Sequence, residues 1–212
     1  PFDAHNHVHL GSSSSSPPLL ALLKDTLSGM AIMSTHPRDF PIVANLAATS
    51  AASKEIVIPC MGVHPWFLHE LTDQDWELVP SDNKNDDSND DSSQDSLATT
   101  NFPRWVRELE SLLQADPSIA VGEIGLDNFH FNDPVTKELS TDMETQMLAM
   151  ELQLGLAVQY QRPVSLHCVR AMGPMLEVWN KVLSKKKKTD SSNKPHKLPP
   201  RIYFHAFGGK AA

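Results

Sequence analysis

Ten histidines occur in 212 residues, and their placement is more informative than their number. His5 and His7 form a His-x-His pair at the end of an apolar run. Residues i and i+2 of a strand point the same way, so both imidazoles can reach one cation. His64 follows a third apolar run in Gly-Val-His-Pro, and Glu123 lies in the fourth, in Val-Gly-Glu-Ile-Gly-Leu-Asp. His167 ends the fifth, in Pro-Val-Ser-Leu-His, and His205 the sixth, in Ile-Tyr-Phe-His. Four separate strands thus carry His or Glu at or near their C-terminal ends. Any one of these residues alone reads as an ordinary hydrogen-bonded group. Together they form the mixed imidazole and carboxylate set that holds divalent metal ions. His9 shares the parity of His5 and His7 but falls past the strand. His36, His69 and His130 read as loop residues, and His196 lies in a Lys-rich segment and receives no role.

The elements that must position these groups alternate. Strand-like runs cover 2–7, 30–35, 55–61, 120–124, 163–168 and 201–206. Helical patterns cover 19–27 and 143–160. Two further apolar faces are marked by Trp105, Leu109, Leu112 and Leu113, and by Met175, Leu176, Trp179 and Leu183. Such alternation predicts parallel strands with crossover helices, in a barrel or an open doubly wound sheet; the pattern alone fits both. In a barrel, the strand C-terminal ends build the active-site face.

Two low-complexity stretches interrupt the pattern, at about 81–100 and 184–200, and are expected to be disordered insertions in a single domain covering 1–212. Ser81–Ser96 holds six Asp and one Lys, whereas Ser184–Arg201 holds seven Lys or Arg and one Asp. The net charge is −8, so composition supplies no broad basic footprint for nucleic acid; phosphate affinity would have to come from a focused site. Cys60 and Cys168 sit in apolar runs without disulfide or zinc-finger spacing, as expected of reduced buried thiols in the cytoplasm or nucleus. No apolar run is long enough to cross a bilayer, and no N-terminal signal pattern is present.

The motifs FDAHNHVHL, GVHPW, VGEIGLD, RPVSLHCVRA and FHAFGG, in this order, resemble the TatD-type deoxyribonucleases, a family of metal-dependent hydrolases. GVHPWFLHEL and the long Met/Leu/Gln helix resemble its eukaryotic Cut9-interacting-protein branch. The match runs from Phe2 to Gly209 apart from the two insertions. The resemblance implies an α/β fold, a TIM-like (β/α) barrel of the metal-dependent hydrolase type, C-terminally incomplete in this chain. It implies two divalent ions, with Zn, Mn or Mg all suited. His5 and His7 would bind one ion, His167 and His205 the other, and Glu123 would bridge them. The family's Asp after the seventh strand would lie beyond this sequence. His64 and Arg170 match positions lining the family's substrate pocket, and Asp127 matches the acidic end of its motif. These three join Glu123 as candidate catalytic residues. The implied activity is hydrolysis of ester bonds, specifically phosphodiesters of DNA, by a monomeric protein with no membrane association.

The chain departs from the family at Asn128-Phe129-His130-Phe131, where basic residues are expected, and at His36, where relatives often carry Arg. Two other readings compete. One is an amidohydrolase acting on a small ester or amide; many of those bridge their metals through a modified Lys, where this chain has Glu123. The other is a non-catalytic interaction protein that keeps the barrel.

Strand order places the acidic stretch in a strand-to-helix loop, on the catalytic face, and the Lys run in a helix-to-strand loop on the opposite face. Deleting Ser81–Ser96 should therefore raise DNA affinity at low salt, with the gain shrinking as salt rises, when measured by fluorescence anisotropy. Deleting Lys185–Lys188 should leave turnover of a short substrate nearly unchanged.

Overall fold

The computed structural model describes residues 2–7, 28–51, 56–80, 101–184 and 198–205. Six strands form one parallel sheet: β1 (Phe2–Asn6), β2 (Gly29–Met33), β3 (Ile56–Met61), β6 (Ala120–Asp127), β9 (Val164–Val169) and β10 (Ile202–His205). Two short antiparallel pairs, β4 (Leu78–Val79) with β5 (Phe102–Pro103) and β7 (Phe131–Asp133) with β8 (Glu138–Leu139), decorate the connections. The helices are α1 (Phe40–Ala51), α2 (Arg104–Ala115), α3 (Met143–Gln159) and α4 (Met172–Ser184).

The strand order resolves the choice left open by the pattern. The six lie side by side in the order they occur in the chain, β1-β2-β3-β6-β9-β10. A doubly wound sheet reverses its order at a switch point, and none occurs here. Parallel strands added in one direction by right-handed crossovers place the helices on one face and curl the sheet toward a barrel. The result is a curled six-stranded half-barrel. Among the described residues β10 pairs only with β9, and Ile202, Tyr203 and Phe204 are exposed.

The two faces differ in size and polarity. Met30, Ile32, Met61, Ile124 and Leu166 pack beneath Trp105, Leu109, Leu154 and Met175 of the helices. The concave face has a small cluster of Ala31, Met33, Cys60 and Ala120. Small side chains leave room there for the polar groups at the strand ends. Both cysteines are free and buried, and burial pushes the Cys60 thiol up to about 12.

Several expectations shift in detail. The fourth strand runs on to Asp127 rather than stopping at Ile124. Helix α1 was not legible in Phe-Pro-Ile-Val-Ala-Asn, where β-branched residues weaken the helical pattern; it follows a turn capped by His36, with Pro37 opening it. In α4 the buried face is Met175, Val178 and Val182, whereas Leu176 is 52% exposed, because the i, i+3, i+7 stripe selects the first set. The 19–27 helix, His9, His196, the acidic stretch and most of the Lys run lie outside the described residues. No helix among the described residues is long and apolar enough to cross a membrane.

β6 carries both core and site because its alternation is broken once. Its pairing with β9 advances from Val121↔Val164 to Ile124↔Leu166, three residues against two. This bulge lets Val121, Ile124 and Leu126 all face the helices while Glu123, Gly125 and Asp127 face the concave side. Gly125, with φ +146°, lies against His167: a Cβ there would sit 2.0 Å from the His167 carbonyl oxygen. Gly125→Ala should therefore force β6 and β9 apart and lower stability by about 1–3 kcal/mol or more, measured by denaturant unfolding.

Candidate metal centre

Sheet register brings the candidate residues together. His205 is the Cα partner of His167 across β10 and β9, and Gly125 partners His167 across β6 and β9. Glu123, two residues before Gly125, reaches the middle of the concave mouth. Its Oε2 lies 3.3 Å from His5 Nε2, 3.4 Å from His7 Nε2 and 3.5 Å from His64 Nε2. Its Oε1 lies 3.1 Å from His167 Nδ1. His205 stacks on His5, with ring centroids 3.6 Å apart and planes 5° from parallel. All five sequence-proposed ligands and His64 therefore share one cluster.

The donor set fits a cation. Ligand atoms around a tetrahedral Zn²⁺ at ordinary bond lengths stand about 3.4 Å apart. Two groups have atoms close enough to share an ion: His5, Glu123 and His205, and His64, Glu123 and His167. The family pattern pairs these histidines differently, His5 with His7 and His167 with His205. The structure instead sets His205 beside His5 and His167 beside His64, with Glu123 common to both groups.

Hydrogen bonds distinguish His7 from His64. His7 Nδ1 lies 3.0 Å from the Met33 carbonyl, which can only accept, so Nδ1 carries a proton and the neutral ring has its lone pair on Nε2, 2.9 Å from His5 Nε2. His64 Nδ1 accepts the Trp66 N–H at 3.2 Å. Neutral His64 then bears its proton on Nε2 and presents a donor to the centre. Distance admits His64 as a ligand; its tautomer makes it a donor to an anionic oxygen.

Electrostatics follow from burial. Glu123 is 1% exposed. Burial alone would raise its pKa, but the hydrogen bond with His167 and the adjacent rings of His7, His64 and His5 hold it far below the ordinary carboxylate range. Burial lowers His5 to about 4 and His64 to about 3, so both are neutral near pH 7. For His167 burial opposes protonation, but Asp127 and Glu123 on either side outweigh it and push its pKa up to about 9. Its Nε2 lies 2.8 Å from Asp127 Oδ2, so the ring bridges two carboxylates. A cation taking His167 as ligand would displace that proton. Asp127 is itself held below its usual pKa: burial would raise it, but bonds from His167, Trp66 and the Phe129 N–H outweigh that.

The rim holds residues that sequence reasoning passed over. Trp66 Nε1 donates to Asp127 Oδ2 at 2.7 Å, and the Trp66 ring stacks on His130 at 4.6 Å. Arg170, exposed and with φ 50°, lies over the Phe129 ring at 3.9 Å and is not drawn into the histidine cluster. His36 Nδ1 accepts the Arg38 N–H, while its Nε2 is buried without a hydrogen-bond partner. His69 stays in the turn Pro65–Glu70, as a loop residue should.

The TatD-related DNase family profile matches residues 2–212. The chain belongs to the TatD-related DNase family. It is 26% identical over 250 residues to the Cut9-interacting protein scn1 of Schizosaccharomyces pombe, covering 98% of this chain and 71% of that protein. Among solved structures it resembles the TatD homologue YjjV of Escherichia coli (TM-score 0.56, 22% identity, 85% of this chain and 55% of that one). It also resembles a TatD family hydrolase of Entamoeba histolytica (TM-score 0.56, 18% identity, 85% and 54%) and an uncharacterized amidohydrolase of Saccharomyces cerevisiae (TM-score 0.57, 17% identity, 99% and 63%). At these identities the structures establish the fold. The chain spans just over half the length of the two TatD structures.

The tautomers yield a direct test. His7→Ala should weaken Zn²⁺ binding about 100-fold or more, whereas His64→Ala should leave it within a few-fold, in calorimetric or chelator-competition titrations.

Proposed function

We propose that this chain carries the metal centre of a divalent-metal-dependent hydrolase that cleaves phosphodiester bonds in DNA. The observation that carries the reading is the convergence of His5, His7, His64 and His167 nitrogens within 3.5 Å of one buried carboxylate. Such a set is costly without a cation and suited to one. Family membership adds the reaction class, acting on ester bonds.

In this reading His5, His7, His167 and His205 would hold the divalent cations, with Glu123 common to the two groups that the geometry forms, His5 with His205 and His64 with His167. Bound Zn, Mn or Mg supplies Lewis acidity toward a phosphoryl oxygen and lowers the pKa of water. The protein's own groups do the rest. The Met33 carbonyl fixes His7 as a lone-pair donor. His64 offers its Nε2–H to an anionic oxygen of the substrate. Asp127 holds the His167 ring in orientation, and Trp66 holds Asp127. Arg170, three residues after His167, is an exposed guanidinium that would pair with a phosphate only by leaving the Phe129 ring it covers. The protein acts as a monomer in the cytoplasm or nucleus.

A second reading rests on one observation, the name of the fission-yeast relative, which describes it as interacting with Cut9. In that reading the chain is a non-catalytic protein-binding module that keeps the barrel. Turnover of single-stranded DNA by the full-length protein, beside carboxylic ester and amide substrates with Zn²⁺ or Mn²⁺, separates the two. Hydrolysis of DNA is expected, and Glu123→Ala should lower it about 100-fold or more and reduce metal per chain more than His205→Ala does. A metal-loaded protein with no turnover of any of the three would favour the binding module.

A further inference from the structure

Between β3 and β6 the ladder is short: Cys60 pairs with Ala120 and Met61 with Val121, and these are its two registered pairs. Beyond them, β3 is held on its β2 side. Ser34 Oγ accepts the Gly62 N–H and donates to the Gly62 carbonyl, both at 2.8 Å, and the Thr35 carbonyl accepts the His64 N–H. Two side chains of α3 bind main chain at the ends of β3 and β6. Gln153 Oε1 accepts the Val63 N–H at 2.7 Å, and its Nε2 donates to the Val63 carbonyl at 3.2 Å. Gln146 Oε1 accepts the Asp127 N–H at 2.8 Å, and its Nε2 donates to the Asp127 carbonyl at 3.1 Å. Each carboxamide thus pairs with both main-chain groups of a single residue, as a neighbouring strand's peptide would.

The placement is specific. The two glutamines are 2% and 1% exposed, and they lie seven residues apart, two helical turns on one face of α3. Their second amide protons are also used, by the Thr141 and Ala149 carbonyls. Packing alone does not call for amides here, since the same helix buries Ala149, Met150, Leu154 and Ala157. Val63 precedes His64, and Asp127 ends the strand that carries Glu123.

We infer that Gln146 and Gln153 are positioning residues of the metal centre: one rigid helix sets the spacing between the His64 end of β3 and the Glu123–Asp127 end of β6. Two contacts depend on that spacing, Trp66 Nε1 to Asp127 Oδ2 at 2.7 Å and His64 Nε2 facing Glu123 Oε2 at 3.5 Å. The inference rests on the reading that His64 and Asp127 belong to the functional site. A role in barrel stability alone would leave both contacts unchanged when the glutamines are replaced.

The test uses the whole chain with Gln153→Leu, Gln146→Leu, the shorter Gln153→Asn and Gln146→Asn, and Gln153→Glu, which keeps an acceptor for the Val63 N–H. Nitrogen-15 NMR reads the His64 tautomer and the exchange of the Trp66 indole proton, alongside thermal unfolding and DNA turnover. Gln153→Leu should turn His64 from the Nε2–H form into a mixture of tautomers, and Gln153→Glu, which has no amide donor for the Val63 and Ala149 carbonyls, should not restore it. Gln146→Leu should speed exchange of the Trp66 indole proton about tenfold or more. If the leucine variants do not fold, the asparagine variants, one methylene too short to reach, carry the same expectations. Wild-type His64 and Trp66 signatures in variants whose Val63 and Asp127 amides have lost protection would overturn the inference. Absence of DNA turnover in every form, with the NMR changes present, would instead count against the hydrolase reading and leave the positioning role standing.

Discussion

A carboxylate that is 1% exposed has to be compensated, and the arrangement around Glu123 follows from that requirement. Moving an isolated ion of this size out of water costs several kcal/mol even after the surroundings relax. Aliphatic packing cannot offset such a cost. The chain brings four imidazoles to the two oxygens, three to Oε2 and one to Oε1. One of them, His167, is held above the ordinary imidazole range by Asp127 and Glu123 on either side of its ring. His5 and His64 stay neutral because burial disfavours their charged forms. A single proton on His167 is a modest counterion for two carboxylates. A divalent cation in its place would bring more charge and would use the lone pairs already directed inward.

The fold serves this centre through devices that are local and cheap. A one-residue bulge in β6 lets a strand with a buried helix-facing side also present Glu123, Gly125 and Asp127 to the concave face. Gly125 permits the approach to His167, since any side chain there would meet its carbonyl. A concave face of alanine, methionine and cysteine keeps volume free at the strand ends. The helices supply the apolar contact area on the other face, and α3 in addition supplies polar partners where the β3–β6 ladder stops.

Much of this was legible in the sequence, for identifiable reasons. His5, His7, Glu123, His167 and His205 stood out because catalytic residues in barrels sit at strand ends, and strand ends are where apolar runs stop. The six strands were legible because parallel strands buried on both faces read as continuous apolar runs. The choice of barrel over open sheet came from the motif resemblance and not from local pattern, which carries no information on which strands are neighbours. The extension of β6 to Asp127 was hidden by the bulge, which breaks the period used to find strands. Trp66, Gln146 and Gln153 were missed because their work is done through long-range hydrogen bonds, 61, 19 and 90 residues away in sequence. A hint existed for the glutamines: two amides at a spacing of seven on the otherwise apolar face of one helix are out of place unless they bind something buried. Arg170 was found through its motif, and it stacks over Phe129 of the Asn128-Phe129-His130-Phe131 segment.

That the centre around Glu123 exists to hold metal can be tested most directly by anomalous diffraction from crystals of the full-length protein grown with Zn²⁺ or Mn²⁺, at wavelengths on either side of the absorption edge. The expected result is anomalous density within about 2.0–2.2 Å of a Glu123 carboxylate oxygen and of His7 Nε2. Density elsewhere on the protein, with Glu123 still enclosed by its histidines and no ion between them, would contradict a metal centre at this position.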